Sequence, residues 1–331
     1  MKKLNPVPNQ LSFGNLNLYK KLALLPILQE SQTTPLLYLT LDEALTKGHL
    51  KINEVSETGN VPELLLENNS STPVFLMDGE ELVGAKQNRI LNLSILAPAN
   101  KKIVIPVSCV EAGRWVYDRN DFINSDRAHF ARGRANKMAS VSESLNVSGD
   151  RRSNQGEVWA DIDSKFSRMK SSSRTAAMSD IFKKEKTSME EYVDAFSNDV
   201  NQVGSFFFIN GNLIGFDLFD QAKTYSLLSK KLTRSYAIDA IERTDSEKGY
   251  PDISQAERTL NTLKETTWKN YPATGLGTDF RVSLPGVTSA GLMVDETTIH
   301  LSGFTLQSEG AINDKGSRIA SSRIRRRYYT E

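Results

Sequence analysis

Short apolar runs separated by polar breaks dominate residues 15–111. Val, Ile and Leu cluster between Gly, Asn, Ser and Pro, and this pattern predicts strands at 50–55, 62–67, 74–77, 90–95 and 101–111. One short helix interrupts them. Thr40 followed by Glu43 forms a capping box, in which each side chain satisfies an exposed N–H of the first turn, and Gly48 supplies a left-handed stop. Five or more strands with one helix argue for an antiparallel sandwich-like unit over residues 1–117 rather than alternating βαβ units.

Residues 118–201 change character, because aromatic and branched residues thin out while Arg, Ser, Asn and Ala take over. A helical or loop segment follows from that. Val158, Ile162, Phe166 and Met169 recur at helical spacing and predict a helix over 155–169. Ser188 with Glu191 reads as a second capping box opening a helix toward 201, and 142–155 reads as an exposed loop. Beyond 202 a hairpin is signalled by apolar runs at 206–209 and 213–216 flanking Asn210-Gly211, which accepts the positive φ angles of a tight turn. Tyr225, Leu228, Leu232 and Tyr236 form the stripe of a long helix over 221–243. Ser254 with Glu257 starts a shorter helix, and strands are expected at 280–284, 291–294 and 297–304. The predicted fold class is α+β: a β-rich N-terminal unit, a helical middle, and an α+β unit over 202–316 packed on the first as one compact fold. Residues 317–331 form a basic tail with five Arg and one Glu. A short internal echo, VFLMDGEELVG at 74–84 against FFINGNLIG at 207–215, is read as coincidence between two hairpins rather than duplication.

Composition narrows the classes. The chain has 331 residues, 41 Lys+Arg against 40 Asp+Glu, and 39% hydrophobic residues, a balance that excludes disordered, collagenous and disulfide-scaffold proteins. No apolar run is long enough to span a bilayer, and 22–28 is broken by Pro26 and lacks a signal cleavage site, so a cytoplasmic location without membrane contact is expected. A single cysteine rules out an internal disulfide and a cysteine-rich zinc site. With a net charge of +1, nucleic-acid binding rests only on the basic middle, 127–152, and the tail, both of which read first as solvated surface. Homo-oligomerisation is left open.

Strand parity supplies the candidate chemistry. In the strand ending at 111, Ile103, Ile105, Val107 and Cys109 share one face, and the same parity delivers Glu111 to it. In the strand from 89, Leu91, Leu93 and Ile95 are apolar and parity delivers Arg89 to their face. A charge at the edge of an apolar face needs a partner or a polar cleft. One reading is a structural Arg89–Glu111 pair. The other is a pocket lined by Gln87, Asn88, Arg89, Glu111 and Arg114 for an anionic ligand, with Trp115 as a stacking face. Glu80 and Glu81 add a general acid/base candidate, only one of the pair facing the pocket. Cys109 reads as an inert core thiol, His129 as part of a solvated loop and His300 as lying on a polar strand face. No phosphate-binding loop or local metal motif is present, and no cofactor or metal is expected.

The stretches DGEELVGAKQNR (78–89) and IPVSCVEAGRW (105–115) resemble a family of bacterial domains named for association with ADP-ribosylglycohydrolases and rhodanese-phosphatase superfamily proteins. The resemblance continues more weakly through QGEVW (155–159), the 202–211 region and 236–240, covering about 36–304. Asp78 stands where Glu is expected to be common. Carried over by position, the matched polar residues are Glu80, Gln87, Asn88, Arg89, Cys109, Glu111, Arg114, Trp115, Gln155 and Trp159. The resemblance implies a role around ADP-ribose or a related phosphorylated nucleotide, with Glu80 or Glu111 as acid/base and Gln87, Asn88, Arg89, Arg114, Trp115, Gln155 and Trp159 holding the ligand. It names no reaction. The alternative is a non-enzymatic interaction module locked by the same charges.

Overall fold

The computed structural model describes residues 4–29, 35–56, 59–117, 119, 121–243 and 249–306, so the basic tail lies outside the described residues. The first half contains β1 (Ser12–Phe13), β2 (Asn17–Tyr19), β3 (Leu22–Leu28), β4 (Leu39–Thr40), α1 (Leu41–Thr46), β5 (Leu50–Glu54) and β6 (Glu63–Asn68). Then come β7 (Val74–Leu76), β8 (Glu80–Gly84), β9 (Arg89–Leu91), β10 (Ile95–Ala97), β11 (Lys101–Cys109) and β12 (Phe122–Ala128). The helical middle is α2 (Ala131–Val147), α3 (Gln155–Arg168), α4 (Met178–Lys184) and α5 (Lys186–Ala195). The chain continues with β13 (Gln202–Ile209), β14 (Asn212–Phe219), α6 (Ala222–Glu242), α7 (Ser254–Glu265), β15 (Lys269–Pro272), β16 (Thr278–Leu284), β17 (Val287–Val294) and β18 (Thr297–Thr305).

These elements build an α+β fold on three sheets. A six-stranded sheet runs β12-β8-β9-β11-β6-β5, a small one runs β10-β7-β4, and a nine-stranded sheet runs β1-β3-β13-β14-β18-β17-β16-β15 with β2 also on β3. The first strands, which the sequence reading placed in the N-terminal unit, hydrogen-bond in the large sheet, where β3 pairs antiparallel with β13 from Leu22↔Ile209 to Leu28↔Gln202. Alternate residues of β3 and β13 enter different apolar clusters, with Leu22, Leu24, Phe207 and Ile209 on one side and Leu25, Ile27, Phe206 and Phe208 on the other. Both faces of the sheet centre are therefore covered, which explains why these strands are continuous apolar runs.

Thr40 and Glu43 form the capping box, and Asn210 and Gly211 take the positive φ angles of the β13–β14 turn. The Ser188 and Ser254 caps are not made: α5 begins at Lys186 and α7 has no side-chain cap bond. The largest departure is α2, whose C-terminal part from residue 142 occupies residues expected to be exposed loop. Its inner face carries Ala131, Ala135, Met138, Val141 and Leu145 at helical spacing, but the charged Arg134 and Lys137 share it and dilute the apolar stripe. The echo is likewise no second hairpin. β7 and β8 do not pair; the Asp78-Gly79 turn between them carries the chain from the small sheet to the six-stranded one.

Candidate functional site

The neighbouring strands β9 and β11 set the site. Cys109 stands opposite Arg89 and Val107 opposite Leu91, so the two parities meet as one face. Beyond β11 the chain continues to Glu111, which bridges to Ala177 before α4. The expected Arg89–Glu111 pair is not made. Glu111 accepts hydrogen bonds from the Asn88 backbone (3.2 Å), Arg114 Nη2 (2.8 Å) and Thr175 Oγ1 (2.9 Å). Arg114 also donates Nη1 to the carbonyls of Ala85 (2.7 Å) and Val116 (3.1 Å) and Nη2 to Asn88 Oδ1 (3.1 Å). Asn88 Oδ1 in turn accepts from the Gly84 N–H. Glu111, Arg114 and Asn88 thus lock the turn between β8 and β9 against the segment after β11.

Arg89 is different. It is fully buried, donates Nη1 to Gln87 Oε1 at 3.0 Å, and approaches Glu54 Oε1 at 3.8 Å through Nη2. Among the described residues its Nε and Nη2 have no hydrogen-bond partner, and neither does either carboxylate oxygen of Glu54, whose side chain is 3% exposed. Burial pushes the Arg89 guanidinium below its ordinary value. The Trp115 ring lies 5.9 Å from the Arg89 guanidinium carbon and is itself 46% exposed. Lys86 Nζ sits over both Trp115 and Tyr117, 5.2 Å from each ring, and Gly59 faces Glu54, Lys86 and Trp115. A half-exposed aromatic cover thus closes over two buried, opposite charges.

The remaining residues divide. Gln155 exchanges two bonds of 2.8 Å with the N–H and C=O of Cys109, its carboxamide standing in for a neighbouring strand. Trp159, four residues further along α3, sits against the Cys109 thiol, which burial pushes up. Glu80 stands apart from this cluster. It accepts the Met77 N–H at 2.8 Å and pairs with Lys231 at 2.7 Å, which also holds Asp42. Glu81 pairs with Arg127, and burial raises the carboxyl of each glutamate despite these partners. Sequence reasoning missed Glu54, although the same parity argument finds it, since Leu50, Ile52 and Glu54 share the inward face of β5. Lys86, Tyr117 and Thr175 carry no comparable signal.

A second ionic centre lies where α2 meets the large sheet. Arg134 binds Asp217 through both terminal nitrogens (3.0 and 2.6 Å), and Lys137 pairs with Asp78 and donates to the carbonyls of Leu91 and Asn92. Burial acts to raise the Asp217 carboxyl, yet Arg134 and the His300 contact outweigh it and hold it well below the usual carboxylate range. His300, expected on a polar face, is buried and contacts Asp217 at 3.2 Å. His129, expected in a solvated loop, is also buried, and burial with the charges of Lys137, Arg134 and Lys165 holds it well below its ordinary pKa. Of the basic stretch 127–152, Arg127, Arg134 and Lys137 thus turn inward onto carboxylates. Among the described residues no helix is long and apolar enough to cross a membrane, and no three His, Cys, Asp or Glu are grouped to hold a metal ion.

Fold and site define an α+β protein organised around buried charge pairs. The ARG and Rhodanese-Phosphatase-superfamily-associated Protein domain (ARPP-1) matches the chain over residues 10–304, and the chain belongs to that family. No curated protein and no solved structure matches it.

Proposed function

We propose that the Arg89–Glu54 cluster under Trp115 binds a phosphorylated nucleotide of the ADP-ribose type. The supporting observation is the pair of buried ionic groups with unused hydrogen-bonding atoms beneath a half-exposed indole. Leaving such groups unmatched is costly, and a ligand that supplies their missing partners recovers that cost on binding. The guanidinium suits a phosphate or carboxylate oxygen, the Glu54 carboxylate accepts ribose hydroxyls, and Trp115 with Tyr117 offers faces for a base. The ligand displaces or slides under the aromatic cover. The family's name supports a setting of ADP-ribose metabolism through association. Binding is the role assigned to the cluster: Glu80 lies in another network with Lys231, and Glu111 is already held by three donors.

The test is calorimetric titration with ADP-ribose, NAD and a cyclic nucleotide phosphate on the native protein and on Trp115→Ala. This exposed position can be changed without opening the core. Binding weakened about tenfold or more in the variant, as base stacking worth about 1–3 kcal/mol requires, supports the reading. Absence of binding by all three ligands, or equal binding by both proteins, discards it.

A further inference from the structure

Ser94, in the link between β9 and β10, shares no residue with the Arg89 cluster. Its Oγ lies 2.7 Å from His300 Nδ1, and His300 Nε2 lies 3.2 Å from Asp217 Oδ1. Asp217 is fixed by two bonds from Arg134 and one from Tyr236. The imidazole is stacked on Phe219 at 4.6 Å between centroids, with Phe75 edge-on at 5.9 Å, so its plane is set by packing. The Asp78 backbone N–H donates to the same Ser94 oxygen at 2.9 Å, which orients one of its lone pairs. Ser94 is only partly buried and lines a cavity of about 10 Å³ with His300, Asp78, Asp279, Arg281 and Ser302. That space suits about one water molecule. Asp78 Oδ2 is buried, lies 3.6 Å from Arg134 Nε, and has no hydrogen-bond partner among the described residues.

We infer that Ser94, His300 and Asp217 form a nucleophile relay that cleaves small acyl esters. Serine, imidazole and carboxylate occur here in the order and at the spacing that nucleophilic catalysis requires, recognised by geometry and roles rather than sequence position. The two ring nitrogens exchange the parts they play in the familiar serine proteases: Nδ1 faces the serine and Nε2–H the carboxylate. In the first half-reaction Ser94 Oγ attacks the carbonyl carbon, its proton passes to His300 Nδ1, and the ester C–O bond breaks as the leaving alkoxide takes that proton. In the second, water attacks the acyl carbon, loses a proton to His300, and Oγ departs and regains it. The sum is ester plus water to acid plus alcohol. Arg281, whose Nε and Nη2 hold Asp279, lines the same cavity and places positive charge near the developing oxyanion. The cavity holds the hydrolytic water alone, so the ester approaches over the exposed side of Ser94, and Asp78 borders the space where that water would sit.

The probe is methanesulfonyl fluoride, which is small enough to approach such a serine. Sulfonylation forms the Oγ–S bond, breaks S–F, and transfers the serine proton through His300. Intact-mass spectrometry with peptide mapping should find one sulfonyl group on Ser94 of the native protein and none in Ser94→Ala, together with p-nitrophenyl acetate hydrolysis that falls at least 100-fold in that variant. His300→Asn should slow labelling comparably. If that variant does not fold, Ser94→Cys serves instead, and its thiol should react with iodoacetamide well below the pH at which an ordinary thiol does. No label, a label on another residue, or a Ser94→Cys thiol of ordinary reactivity overturns the inference and shows the three residues to be a purely structural chain.

Discussion

The Arg89 guanidinium and the Glu54 carboxylate lie 3.8 Å apart, both buried, and share no hydrogen bond. They attract without having reached the contact geometry in which a buried pair repays its desolvation. Glu54→Gln preserves the shape and removes the anion. It should lower the unfolding free energy by about 2 kcal/mol, less than the roughly 3–5 kcal/mol of breaking a well-made buried pair. Urea denaturation checks this, and an unchanged midpoint would show that Glu54 does not balance Arg89.

Asp217→Asn should cost more. Arg134 is fully buried and would keep its charge while losing its carboxylate, a loss of about 3–5 kcal/mol. The pH dependence has a definite sign. A carboxyl held below its unfolded value near 3.9 contributes its full stability above that value and loses it as pH falls toward its folded value. The gap in unfolding free energy between the native protein and Asp217→Asn should therefore be widest at neutral pH and narrow below about pH 4. A gap constant down to pH 2 would contradict the assignment.

Lys137 follows the same sign in a higher pH window, although there burial favours the neutral form. Burial lowers it to about 8 against the raising effect of Asp78, with Arg134 and Arg281 adding to the depression. In the folded state its proton leaves at lower pH than in the unfolded chain, so the burial penalty persists below pH 8 and is relieved as pH rises toward about 10.4. Measured against Lys137→Met, the native protein should gain stability across that window. Denaturation series at pH 7, 9 and 10.5 decide it, and a relative loss over the same range would refute the depressed value.

Gly133 lies inside α2, where alanine ordinarily stabilises a helix by about 1 kcal/mol. Here a Cβ would overlap His129 Nε2, and that imidazole is buried and unable to swing into solvent. Gly133→Ala should therefore destabilise the protein by about 1–3 kcal/mol, the range of overpacked cores. A raised Tm would show that His129 yields easily.

The sequence was readable wherever one side chain or one period dictated the outcome. The Thr40–Glu43 box, the Asn210-Gly211 turn and the stripe of α6 all act within a few residues. Parity brought Arg89 and Cys109 to one face because a strand side chain has only two directions. What parity lacks is the third dimension: Glu111 met Arg114 rather than Arg89, and Glu80 met Lys231, 151 positions away. The helix α2 was illegible because its inner face is completed by ions whose counter-charges, Asp78 and Asp217, lie on other elements. A hydrophobic-period reading scores such residues as surface. The same blindness hid Ser94, His300 and Asp217, since 206 positions separate the first two.

The pairing of Leu22–Leu28 with Gln202–Ile209 imposes a schedule on synthesis. As the chain leaves the ribosome, this apolar strand emerges early and waits for a neighbour that is translated roughly 9–35 s later at about 5–20 residues per second. During that interval, with only β1 and β2 to pair with, its other edge stays open and sticky, the kind of segment that chaperones hold and that aggregates when they do not. Slow codons or starvation within the helical middle would lengthen the exposure. The yield of folded protein should thus depend on translation rate through a stretch of message that encodes neither of the two strands concerned.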